Sequence, residues 1–138
     1  MDAAAIERIG VSFNHLAPRG PELVERFYAM LFARYPAIRR LFPPDLAGQK
    51  RKFLNAIALV IQQLRRPDHN TDELHAMGRR HAASGAQPAH YTAFRDTLID
   101  VMAEMSGPAW TAQLTTDWKA ALDSVSKRML EGQAAATA

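Results

Sequence analysis

Apolar residues recur at spacings of three and four along nearly the whole chain, and proline or glycine interrupts the pattern at its breaks. A helix puts residues i, i+3, i+4 and i+7 on one face, so each such run must bury one side against its neighbours. The first run extends from Ala3 to about Leu16, with Ile6, Ile9, Val11 and Phe13 expected on or near its inner side. Pro18-Arg19-Gly20-Pro21 ends it, and Pro21 suits the first turn of a second helix whose inner face is Val24, Phe27, Tyr28, Leu31 and Tyr35. Pro36 forces a break, and Ala37 to Phe42 leaves room for a short helical turn before Pro43-Pro44 stops it. A long helix then runs from about Ala47 to Arg66, with Gln49, Phe53, Ala56, Ile57, Val60 and Leu64 as its inner stripe. Asn70 and Glu73 have the spacing of a capping box, which predicts a helix with Leu74, Met77, Gly78 and His81 on one face and Gly85 as its stop. Pro88 opens another helix carrying Tyr91, Phe94, Leu98, Val101 and Met105. Gly107-Pro108 separates it from a last one with Leu114, Trp118, Ala121, Val125 and Met129. No sustained two-residue alternation of Val, Ile or Thr occurs, so the predicted fold is all-α.

A chain of 138 residues is expected to form one domain, 1–138, with the small residues from about 131 onward as a disordered tail. With 48% apolar residues it can build a sizeable core, and a domain of this size buries roughly 68–70% of its unfolded surface. The chain has no cysteine, so disulfides and thiolate metal sites are excluded. Its first residues lack a basic segment followed by an apolar run, and no stretch reaches the ~18 apolar residues of a membrane span. These features predict a soluble cytoplasmic protein with no membrane partner. Lys and Arg number 17 against 14 Asp and Glu, a net charge of +3 that is too small to imply a nucleic-acid ligand. The basic clusters Arg39-Arg40, Lys50-Arg51-Lys52, Arg65-Arg66 and Arg79-Arg80 read as solvated helix faces, some meeting acidic groups.

Dinucleotide, phosphate-loop and nucleophile-elbow motifs are absent, and the carboxylates are expected on outer faces without acid–base pairing. The five histidines include no i, i+4 pair on one helix, so no three-histidine zinc site is suggested. His81 stands apart: four residues after Met77 and seven after Leu74, it projects from an apolar face, whereas His75 is expected to point outward. A neutral imidazole facing an apolar pocket suits axial ligation of haem iron, and it equally suits a hydrogen-bonded core histidine. Tyr28, within a buried face, is either a core tyrosine reaching a carbonyl or a polar group aimed at a ligand. Gln49, near the start of the long helix, faces either water or the interior.

Taken together, the order and spacing resemble bacterial single-domain globins and the haem domains of flavohaemoglobins. The residues that carry the likeness are Arg26 to Phe32, Pro36 through Leu41-Phe42, Gln49 to Phe53, Gly78-Arg79-Arg80-His81, Pro88 to Tyr91, and Trp118. It extends from about Ile9 to Met129. The resemblance implies a globin fold of helices A, B, C, E, F, G and H around haem b, with little or no D helix. It implies His81 as the proximal iron ligand, Phe42 as the aromatic residue on the porphyrin face, and Tyr28 and Gln49 as the distal pair. Phe53 matches the apolar residue one turn along the distal helix, and Tyr91 a tyrosine beside the proximal ligand. Lys52 and Arg80 are candidates for the haem propionates, and Ile57, Met77 and Phe94 line the pocket from their inner faces.

In flavohaemoglobins an acidic residue of the last helix completes a network with the proximal histidine and tyrosine. Counted from Trp118, that position here is Gln133, with Glu131 two residues away, so no carboxylate is expected to strengthen His81. Phe13 stands where many such globins carry tryptophan, which is read as packing. The resemblance implies reversible binding of O2, CO and NO for O2 binding or delivery by a monomer or homodimer. The alternative is nitric oxide dioxygenation, for which a separate reductase would be required. A different class of reading is a cofactor-free helical module that binds nucleic acid or protein through its basic clusters.

Overall fold

The computed structural model describes residues 1–69 and 71–137, with side chains through residue 134 of the last helix. It contains α1 (Ala3–Leu16), α2 (Gly20–Arg34), α3 (Ala47–Arg65), α4 (Thr71–Ala83), α5 (Pro88–Ser106) and α6 (Ala112–Thr137). Short 3-10 turns occupy Ala17–Arg19, Pro36–Leu41 and Gly107–Ala109, and no strand occurs among the described residues. The all-α expectation holds. No regular helix lies between Leu41 and Ala47, as expected for an absent D helix. No helix among the described residues is long and apolar enough to cross a membrane.

The helix ends follow from local chemistry. Asp2 caps α1 by accepting from the backbone N–H of Ala5 at 2.8 Å, satisfying one of the donors that a helix start leaves free. Pro21 and Pro88 each sit in a first turn, where a missing N–H costs nothing. At Pro88 the start is reinforced by a reciprocal capping box between Gln87 and His90. Gly85, at φ +97°, supplies the left-handed turn after α4 that a β-carbon would strain. Asn70, the expected cap of α4, lies outside the described residues.

Trp118, Phe27, Ile9, Leu16, Leu23, Leu31, Leu74 and Met102 are the largest side chains to lose all solvent contact. Complete burial of such a side chain contributes about 1.5–3 kcal/mol, and these residues come from every long helix except α3. From α3, Ile57, Val60, Ile61 and Leu64 close the core. Trp118 satisfies its indole N–H by donating to Ser12 Oγ at 3.2 Å, which ties α6 to α1.

One expectation about α1 is corrected. Val11 faces outward, 60% exposed, because the inner face of α1 is set by Ala5, Ile9, Ser12 and Leu16. At the other end of the chain α6 is helical from Ala112 to Thr137, and Gly132 is buried. The expectation of exclusively outward carboxylates also fails at Asp117, which is 3% exposed. Its carboxylate accepts from Arg8 at 2.6 and 3.1 Å and from Gln113 at 2.9 Å. The Arg8 guanidinium holds the Asp117 carboxyl below its ordinary range, so this stabilisation is full above about pH 4 and is lost as pH falls further. Arg8→Met should destabilise the fold at neutral pH, because it leaves the buried Asp117 charge with Gln113 as its remaining donor, and less so near pH 3, as urea unfolding at the two pH values would check.

Candidate haem site

Tyr28 lies on the inner face of α2, where one helical turn brings its ring against aromatic neighbours from three segments. Its ring centroid is 5.1 Å from Phe27, 5.7 Å from Phe32 and Phe42, and 5.6 Å from Phe53. Phe94 of α5 joins this group at 5.7 Å from Phe27 and 6.2 Å from Phe42. Phe42, Phe53 and Phe94 stay half-buried although Phe27 and Tyr28 are sealed. The cluster is therefore sealed at Phe27 and Tyr28 and only partly covered at Phe42, Phe53 and Phe94.

The Tyr28 hydroxyl is buried and closes no hydrogen bond of regular geometry. Desolvation pushes its pKa up to about 12, and a side-chain hydrogen-bonding interaction with Gln49 offsets part of that rise. The phenol is therefore a neutral donor throughout the physiological range, held beside the Gln49 amide. A buried polar atom without a partner is uncommon and marks a place where something else is accommodated.

On the opposite side, His81 Nδ1 lies 2.7 Å from the carbonyl oxygen of Met77, one turn earlier on α4. A carbonyl can only accept, so Nδ1 carries a proton, and Nε2 is the ring nitrogen left for a ligand or metal. That is the tautomer of a metal-ligating histidine with its second nitrogen already oriented. Tyr91 stacks obliquely beside it, with ring centroids 6.3 Å apart. The Tyr91 hydroxyl is buried without a partner, and burial raises its pKa.

Between α3 and α4 a groove of about 320 Å³ is lined by Lys52, Asn55, Ala56, Leu59, Met77 and Arg80, among others. Lys52 and Arg80 are thus brought to one groove, both exposed, and neither is paired with a carboxylate among the described residues. Glu73 lines the same groove. Ile57 is buried in the core under α3, and Gln49 is half-buried at that helix's first turn.

A family model for globins matches residues 25–129. The chain belongs to the globin family. An uncharacterised globin-like protein of Aquifex aeolicus is 25% identical over 115 residues, which cover 83% of this globin and 81% of that protein. A flavohemoprotein of Rhizobium meliloti is 22% identical over 106 residues, 75% of this globin and 26% of the longer chain. Among solved structures, an engineered carbene transferase from Rhodothermus marinus, described as a candidate nitric oxide dioxygenase, has a TM-score of 0.87 at 24% identity. That match covers 99% of this globin and 96% of its counterpart.

Haem binding goes with that membership, and the residues present fit the group: an imidazole with a free Nε2, a partly covered aromatic face and an orphaned hydroxyl. Three features escaped sequence reasoning. The first, the Met77 carbonyl as orienting acceptor, could have been found, since any helical histidine has the carbonyl four residues back within reach. His75 was expected to point outward but is half-buried, with Nε2 3.4 Å from Glu131 Oε2. Glu131 therefore serves His75 rather than His81, and no spacing in the sequence signals a contact across 56 residues. Gln133 is half-buried in α6.

Proposed function

We propose that this globin holds haem b through His81 Nε2 and binds O2 reversibly, with Tyr28 and Gln49 donating hydrogen bonds to the ligand. The observation that carries this reading is the Tyr28 hydroxyl: buried, protonated, unpartnered and beside the Gln49 amide. Leaving such a donor unpaired costs about 1–3 kcal/mol, which an accepting ligand oxygen would remove. Haem held by His81 would supply an iron able to take up O2, CO or NO. Phe42 packs on the porphyrin face, while Phe53, Ile57, Met77, Tyr91 and Phe94 wall the pocket. Lys52 and Arg80 pair with the propionates, where charge-assisted bonds are the strong kind. The chain has no cysteine for thioether links, which supports a non-covalently held haem such as haem b.

A second reading, nitric oxide dioxygenation, is supported by the likeness to the Rhodothermus protein. Nitric oxide, O2 and one electron give nitrate, so every turnover draws one electron from a separate flavin-containing reductase. Stopped-flow release of O2 and consumption of nitric oxide, with a generic reductase present, decide between the two. The first reading expects slow release and one nitric oxide consumed per haem. Continuous turnover would establish the second, and protein that takes up no haem would overturn both.

A further inference from the structure

The most extensive helix–helix contact in the molecule is α4 against α6, and it is made backbone to backbone at two glycines. Gly78 of α4 rests on the main chain of Met129, and Gly132 of α6 rests on the main chain of His75. A β-carbon at either position would overlap main-chain atoms, which cannot swing aside as a side-chain tip can. Residue 75 lies opposite 132 and residue 78 opposite 129, so the two helices run antiparallel in a fixed register. The His75–Glu131 contact at 3.4 Å adds a side-chain tie at the same level. His81 follows Gly78 by less than one turn, with its ring bonded to the Met77 carbonyl, so the imidazole moves with this stretch of α4. Met77 and Arg80 line the groove between α4 and α3.

We propose that the Gly78–Gly132 crossing positions His81: α6 sets how far α4 stands from the groove, and so where Nε2 meets the iron. The inference rests on ligation by His81. A methyl group at position 132 would push α4 off α6 and carry the imidazole with it. The test uses haem-loaded Gly132→Ala, with Arg8→Met as a control that loosens α1 from α6 and leaves α4 alone. The readouts are the ferrous iron–histidine stretching band and the rate of haem transfer to an excess of acceptor apoprotein. Gly132→Ala is expected to shift the band and speed transfer about tenfold or more, while Arg8→Met leaves the band in place. Should Gly132→Ala not accumulate folded, His75→Ala, which drops the tie to Glu131 and keeps the backbone contact, must leave the band in place, and a shift there overturns the role of the crossing. An unmoved band in the folded variant, or an equal shift in Arg8→Met, overturns the positioning role while leaving ligation by His81 intact. A wild-type chain that binds haem without any iron–histidine band overturns the ligation itself.

Discussion

Replacing His81 with alanine is expected to lower haem affinity by about a hundredfold or more, and millimolar imidazole is expected to restore the five-coordinate ferrous spectrum. Disturbing only the partners that orient a ligand costs about 10–100-fold in metal sites, so removing the ligand itself should cost at least the upper figure. The structure gives the reason. The Met77 carbonyl fixes a proton on Nδ1 at 2.7 Å, leaving Nε2 as the ring nitrogen for a ligand or metal. Alanine is a good helix former, and His81 is only half-buried, so α4 should persist in the variant. Haem titration with and without imidazole, alongside circular dichroism, separates lost ligation from lost folding. Unchanged affinity and an unchanged spectrum would return His81 to the status of a core histidine.

Tyr28→Phe should have opposite effects on the cofactor-free and the loaded protein. Phenylalanine keeps the ring contacts with Phe27, Phe42 and Phe53 and removes a buried hydroxyl that closes no hydrogen bond of regular geometry. The cofactor-free variant is therefore expected to be as stable as the parent or up to about 1–3 kcal/mol more stable. The loaded variant, missing one donor to a partly charged ligand, should release O2 about tenfold faster or more. The alkaline limb gives an independent check. The folded Tyr28 phenol titrates near 12, above the ordinary value of about 10, so its contribution is complete below pH 10 and declines as pH rises toward 12. The full decline amounts to about 2–3 kcal/mol, and Tyr28→Phe should remove it. Tyr91, raised in the same direction by burial, leaves a residual slope in that window. Equal O2 release in the two proteins would contradict Tyr28 as a donor.

Much of this architecture was legible because proline and glycine punctuate it locally. Pro21, Pro36, Pro88, Gly85 and Gly107 each act through their own backbone geometry, so helix ends near them need no tertiary information. The proximal and distal candidates were legible as polar intrusions in apolar stripes, and Tyr28 and His81 do lie among the half-buried aromatics. The misses share one cause, which is distance along the chain. Asp117 looked like a surface carboxylate because its partner, Arg8, is 109 residues away. Val11 seemed to belong with Ile9, yet two residues turn a helix by about 200°, and only packing decides which side is buried. The residues from 131 looked featureless because alanine and glycine carry no pattern, although Gly132 rests on the main chain of His75 in α4.

The most direct test of haem ligation by His81 is the absorption spectrum of the haem-reconstituted chain in its ferrous and ferrous–CO forms. A single equivalent of haem giving a five-coordinate ferrous band and a sharp histidine-type CO Soret band, both lost in His81→Ala, is the result predicted here. A chain that stays colourless, or a CO spectrum indifferent to residue 81, would contradict it.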